Sequence, residues 1–246
     1  MLTKKNVITT IYISLVVQIV TSLYSYNGIY YDIEDKDEIL KDVLKLELFV
    51  QFIEAFFYIW VIHGLRDFNE MTKRRYIDWF VTTPTMLIST IIFLKYQEYK
   101  EADIQETITF YDFIIKNIEP IQKIVFYNCL MLLFGYLGES GIINKELSIG
   151  IGFIFFYLSF KVIYDDYAVK SKLGMKLFSV LVILWSLYGL AAYTSHIPKN
   201  ISYNVLDVIA KNFYGLYIFF KIRDLAIIKH EKDSIINQGL ETDVSL

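Results

Sequence analysis

Seven stretches of this chain, 7–23, 44–62, 76–94, 124–138, 147–163, 177–194 and 204–220, are apolar over roughly the length a helix needs to cross a bilayer, about 20 residues. That pattern limits the chain to one kind of surrounding, because backbone groups inside lipid must be satisfied within the spanning segment. Composition agrees: 55% of the 246 residues are hydrophobic, 17% aromatic and only 21% charged, and the mean hydropathy is +0.41. With 11 Gly and 3 Pro the chain is neither collagen-like nor low-complexity, and a single cysteine, Cys129, excludes a disulfide framework. A net charge of −3 without a long Lys/Arg run supplies no field for nucleic acid, which is not an expected partner. The expected fold is an all-α membrane protein, a seven-transmembrane helix bundle in a lipid bilayer.

No connection is rich enough in Gly, Pro or Ser to be an inter-domain linker, so residues 1–222 read as one seven-helix domain. Residues 223–246 read as a polar C-terminal tail that loses order toward its end. Stretch 7–23 follows Lys4 and Lys5 as a signal peptide would, but no small-residue cleavage site comes after it, and it reads as the first span. An N-terminus on the outside places the larger share of Lys and Arg on the inner side, which sets the expected orientation. The first long connection, 24–43, carries Asp32, Glu34, Asp35, Asp37, Glu38 and Asp42. It lacks the central Gly and the spacing of a calcium loop, so a solvated acidic surface is expected. The second, 95–122, places Ile108, Tyr111, Ile115 and Ile118 at helical spacing before Pro120. This predicts an amphipathic helix at the interface or an early extension of the fourth span.

Charges inside the spans carry the functional signal. Lys211 lies in the middle of the seventh stretch, where a lysine costs about 2.5–3.5 kcal/mol on insertion scales. Asp207, four residues earlier, shares its helix face and can pair with it. The pair either neutralises itself or serves chemistry in which a desolvated amine forms a Schiff base with an aldehyde. The third stretch holds a second buried acid, Asp78, and Arg75, Asp78 and Thr82 fall on one stripe of that helix. A protonated Schiff base on Lys211 facing Asp78 and Asp207 would have two counterions, with Arg75 compensating the excess negative charge.

At these residues the sequence resembles the microbial rhodopsins, the type I retinal proteins. Residues 75–84 (Arg-Tyr-Ile-Asp-Trp-Phe-Val-Thr-Thr-Pro) look like their third-helix signature, and 206–211 (Leu-Asp-Val-Ile-Ala-Lys) look like their retinal-lysine helix. Trp185-Ser186-Leu187-Tyr188 is similar to their sixth-helix aromatic lid, and Asn128, Met131, Gly135 and Gly138 fit their fourth-helix spacing. The resemblance implies all-trans retinal bound as a Schiff base on Lys211. It implies Asp78 as acceptor of the Schiff-base proton, Asp207 as second counterion, and Thr82 hydrogen-bonded to Asp78. Trp79, Thr83, Met86, Met131, Gly135, Trp185 and Tyr188 would wall the chromophore, although any one aromatic alone could be ordinary helix packing.

Three departures set this chain apart from the outward proton pumps of that family. Ser89 stands where they place a carboxylic proton donor, 195–203 holds Lys199 but no acid, and Gly189 replaces the usual sixth-helix Pro. The second span adds Glu47 and Glu54, two turns apart on one face with Gln51 between them. Files of acids line cation pathways, and this series with Ser89 is similar to channelrhodopsins and to the channel-forming viral rhodopsins. If Tyr58 aligns with the tyrosine that pumps carry on this helix, Glu54 falls level with the retinal and Glu47 nearer the cytoplasm. Either Glu could instead be a pump's proton donor or lie idle at the interface. Ser14 and Asn204 are weaker candidates for the same path, with helix-packing hydrogen bonds as the alternative.

The expected function is a retinal-binding photoreceptor that acts as a light-gated cation channel, with protons and monovalent cations as the transported species. The alternative is a light-driven outward proton pump. A sensory rhodopsin is a third reading, and a seven-helix receptor or transporter without a chromophore a fourth. No enzymatic activity is expected. His63, His196 and His230 form no metal-ligand cluster, Cys129 reads as a packed thiol, and a homo-oligomer is compatible with the sequence without being specified by it.

Overall fold

The computed structural model describes residues 2–64, 68 and 70–244, with side chains described as far as residue 237. Helix α1 spans Lys4–Tyr26, α2 Ile39–His63 and α3 Met71–Glu101. A short α4, Phe110–Lys116, precedes α5, Ile118–Glu139, and α6, Lys145–Asp166. Helix α7 spans Lys172–Ala192, and α8, His196–Asp207, passes through a π-helical turn, Val208–Asn212, into α9, Phe213–Val244. Helices α1, α2, α3, α5, α6 and α7 are each long and apolar enough to cross a membrane. The seventh path is the continuous α8–π–α9 rod. Each spanning helix but α7 overruns its apolar stretch at both ends, because hydropathy reads only the part immersed in hydrocarbon; α7 stops at Ala192, inside 177–194.

Packing runs α1 on α2, α2 on α3, α3 on α5, α5 on α6 and α7 on α8, with α1 also on α8. Helix α3 is the most enclosed, 67% of its membrane-length core being covered against 17–39% for the others. The bundle buries many polar groups within its apolar core and turns large apolar side chains outward. Gln18, Glu47, Gln51 and Glu54 are fully buried, whereas Leu23, Phe52, Ile77 and Ile183 face outward. Lipid as solvent explains both halves of that pattern, since apolar surface costs nothing there and polar groups must find one another.

The second long connection holds both features its sequence offered, a short helix and an early start of the fourth span, whereas the first differs from its reading. Among the apolar set of 95–122, Tyr111, Ile115 and Ile118 point outward, and it is Phe113 that anchors α4. The backbone breaks at Asn117, so α4 is a separate short helix and the fourth span begins at Ile118. The acidic connection is not simply a solvated surface. Asp37 is buried and accepts from Tyr96 Oη (2.6 Å) and Lys100 Nζ (3.0 Å) at the end of α3. Asp32 pairs with Lys229 (2.6 Å) and Glu34 with Lys232 (2.9 Å), both on α9. The tail therefore continues as helix to Val244 and is held against the first connection.

Hydrogen bonds from Lys232 and Lys36 pull the Glu34 carboxyl from its ordinary 4.5 down to about 2. A lowered acid supports the folded contact above its ordinary value and loses it as pH falls through about 2. A carbon-shift titration of Glu34 is expected to show its midpoint there. Glu34→Gln is expected to speed amide exchange in 223–237, and unchanged exchange would separate the loop from the tail.

Candidate functional site

Lys211 sits within the π turn, where the Phe213 amide reaches back five residues to the Val208 carbonyl. Such a widened turn inside an α-helix is a local irregularity that recurs where a side chain has a task. The amine is buried and meets three carboxylates: Asp78 Oδ2 at 3.0 Å, Glu54 Oε1 at 3.3 Å and Asp207 Oδ1 at 3.8 Å. The sequence reading expected the first and third of these neighbours, Asp207 from its spacing and Asp78 as the buried acid of the third span. It put Glu54 only at the same depth, and the packing of α2 brings its carboxylate into the ring.

Asp207 is fixed from several sides. It accepts from Arg75 Nη1 (2.8 Å) and from Tyr58 Oη and Tyr188 Oη (3.0 Å each). Arg75 also donates to Asn204 and, through Nε, to Asn200 Oδ1 at 3.4 Å, and it lies over the rings of Phe57, Tyr58 and Tyr203. A guanidinium with this many partners has one orientation, so Arg75 and Asp207 form a rigid base beneath the amine. Asp78 is held more lightly. Its Oδ2 faces Lys211, and its Oδ1 has no protein hydrogen-bond partner. The expected bond from Thr82 reaches the backbone carbonyl of Asp78 (3.0 Å) rather than the carboxylate. A threonine hydroxyl in a helix bonds readily to the carbonyl four residues back, and Thr83 does the same to Trp79 (2.8 Å) just ahead of Pro84.

An apolar cavity of about 130 Å³ has Lys211 on its wall. Trp79, Thr83, Met86, Met131, Gly135, Trp185 and Tyr188 all line it. Gly135 is required by space, since a Cβ there would lie 2.7 Å from Tyr76 Oη, and Gly189 admits the ring of Phe153, which a Cβ would approach to 2.5 Å. Asn128 Nδ2 donates to Thr83 Oγ1 at 2.7 Å, tying α5 to α3 beside the slot. A mainly apolar, ring-walled space with the Lys211 amine on its wall beside three carboxylates fits a polyene aldehyde by its chemistry.

On the other side of Lys211 a polar file runs between α1, α2, α3 and the π turn. Gln18 donates to Glu54, and Asn212 Nδ2 donates to Gln18 Oε1 (2.9 Å) and Thr21 Oγ1 (2.6 Å). Ser22 donates to Gln51 Oε1 (2.7 Å), and Ser89 donates to Glu47. Gly215 makes room for Gln51, whose Nε2 would lie 2.4 Å from a Cβ there. Glu47 Oε2, Gln51 Nε2 and Asn212 Oδ1 are buried without a protein partner, a condition that water ordinarily relieves. Gln18 and Asn212 escaped the sequence reading, although an amide within an apolar span is itself a signal. Ser14 instead makes a packing bond, to the backbone carbonyl of Asn204 (3.0 Å).

Fold and site together define a seven-helix membrane protein assembled around one buried lysine ringed by carboxylates. Residues 9–225 match the family described as Bacteriorhodopsin-like protein, and the chain belongs to it: it is a microbial, type I rhodopsin and an integral, multi-pass membrane protein. Proteins of this family bind retinal through a lysine Schiff base. A green-light absorbing proteorhodopsin from Gamma-proteobacterium EBAC31A08 is 22% identical over 181 residues, 65% of this chain, and the chain spans 64% of that relative's length. Among solved structures, viral rhodopsin OLPVRII superposes with a TM-score of 0.73 at 24% identity, over 89% of this chain and 98% of that one. Halorhodopsin, a light-driven chloride pump, superposes at 0.66 with 14% identity, over 92% and 98% of the two chains. Likeness of fold therefore assigns no transport task to this chain, which its site residues must carry.

Proposed function

We propose that this chain is a retinal-binding photoreceptor acting as a light-gated cation channel, with all-trans retinal joined to Lys211 and the N-terminus outside. Residues 1–222 form the retinal-binding unit and 223–246 its polar tail. The observation that carries the reading is the buried polar file from Lys211 through Glu54, Gln18, Asn212 and Gln51 to the Ser89–Glu47 pair. Acids buried this deeply are expensive unless water and cations reach them. Bound retinal supplies absorption of visible light and an isomerisation that redirects the amine nitrogen.

The residues then divide the work. Asp78, with one oxygen 3.0 Å from Nζ and the other unpartnered, accepts the proton that leaves the nitrogen. Asp207 stays anionic in the grip of Arg75, Tyr58 and Tyr188 and keeps the local charge in place. Once Nζ loses its proton, Glu54 loses its cationic partner at 3.3 Å and turns toward water, protons and monovalent cations in the file. Ions cross passively.

A second reading rests on one contact. Ser89 cannot hold a proton for the nitrogen, but it bonds the Glu47 carboxyl, which puts an acid from α2 beside the donor position of α3. A light-driven outward proton pump with Glu47 as donor follows from that. Photocurrent under voltage clamp separates the two. A channel current is expected to change sign near the cation equilibrium potential, and a current that stays outward at every voltage favours the pump.

A further inference from the structure

Lys211 is not the only charge on the cavity wall. Glu139, at the end of α5, and Lys145, at the start of α6, also line it. Lys199 Nζ on α8 donates to both oxygens of Glu139, at 2.7 and 2.6 Å. The two side chains are only 6% and 16% exposed, so this is not a surface pair whose strength water dissipates. It also joins helices that have their main packing elsewhere, α5 on α6 and α3, α8 on α7 and α1. Beside it Lys145 Nζ donates to the carbonyls of Tyr193 and Thr194, at 3.3 and 3.4 Å, tying α6 to the segment after α7. Gly138 and Ser148 also line the cavity, packed so closely that a Cβ on Gly138 would lie 2.1 Å from Ser148 Oγ.

We propose that the Glu139–Lys199 ion pair is the latch of the cavity rim, holding α5 to α8 and keeping water and small polar reagents out of the chromophore space. The inference deepens the retinal reading and rests on it for what the cavity contains. An apolar slot with a polar rim stays dry only while the rim charges satisfy each other. Removing one leaves the other buried without a partner, a state that recruits water or pushes the helices apart.

The test uses the full chain in lipid vesicles, with Glu139→Gln, Lys199→Gln, the conservative Lys199→Arg, and the charge exchange Glu139→Lys with Lys199→Glu. Each single neutralisation is expected to speed bleaching of the dark pigment by hydroxylamine on the order of tenfold. Colour formation from added retinal is expected to quicken with it. Lys199→Arg and the exchanged pair are expected to behave as the parent. A second readout works without retinal. Trp79 and Trp185 line the cavity and Trp60 is exposed, so in a Trp60→Phe background acrylamide quenching reports water at the cavity wall. Quenching is expected to rise on neutralisation and to fall back in the exchanged pair. A parent that stays colourless with retinal overturns the chromophore reading, whereas neutralised variants with unchanged quenching overturn the latch. Where a neutralised variant fails to fold, Lys199→Met, which keeps the length of the side chain without its charge, replaces it, and bleaching and quenching at the parent values again overturn the latch.

Discussion

Lys211→Ala is expected to leave the protein colourless when all-trans retinal is added, with no visible band and no photocurrent. The amine is the only lysine nitrogen on the cavity wall that also faces Asp78, Glu54 and Asp207 among the described residues. Alanine also strips three carboxylates of their shared cation, and breaking a buried pair of this kind costs about 3–5 kcal/mol. Loss of colour could then come from loss of fold, so Lys211→Arg is the informative companion. Its guanidinium keeps the positive charge and cannot condense with an aldehyde as an amine does. It is expected to melt near the parent temperature and to remain colourless. Visible absorption together with a thermal melt checks both variants, and a coloured arginine variant would place the attachment elsewhere.

Glu54→Gln is expected to keep the pigment and to lose most of the photocurrent. Asp78 remains 3.0 Å from Nζ and Asp207 remains clamped, so the amine keeps two counter-charges. The polar file, in contrast, loses the carboxylate that is closest to the amine. A unit charge about 4 Å from a passing cation is worth roughly 4 kcal/mol at an effective dielectric constant of about 20. Even a third of that, about 1.4 kcal/mol, is a tenfold change in rate. Current normalised to visible absorbance is the measurement, and an undiminished current that still reverses would remove Glu54 from the path.

Much of this molecule is legible in one dimension. Seven apolar stretches announce seven spans, and the all-α bundle follows because hydrocarbon leaves the backbone no other partner. Asp207 and Lys211, or Arg75, Asp78 and Thr82, share a helix face by spacing alone, and the structure places Asp78 and Asp207 about the amine with Arg75 bound to Asp207. Thr82 shows the limit of such spacing, since its hydroxyl turns to its own backbone. Asp37 shows another limit: read as one more solvated acid, it is buried under Tyr96 and Lys100.

What sequence alone determines here is therefore the solvent, the number of spans and which residues occupy a common stripe, all of which depend on local periodicity and on the cost of charge in lipid. Tertiary structure decides which stripes meet. That Glu54 reaches Lys211, that Ser89 meets Glu47, and that Lys199 finds its acid on a distant helix all depend on the rotation and depth of each rod. Those are set by side-chain fit between helices, as where Gly215 yields to Gln51 and Gly135 to Tyr76, and such fit has no signature within any single helix.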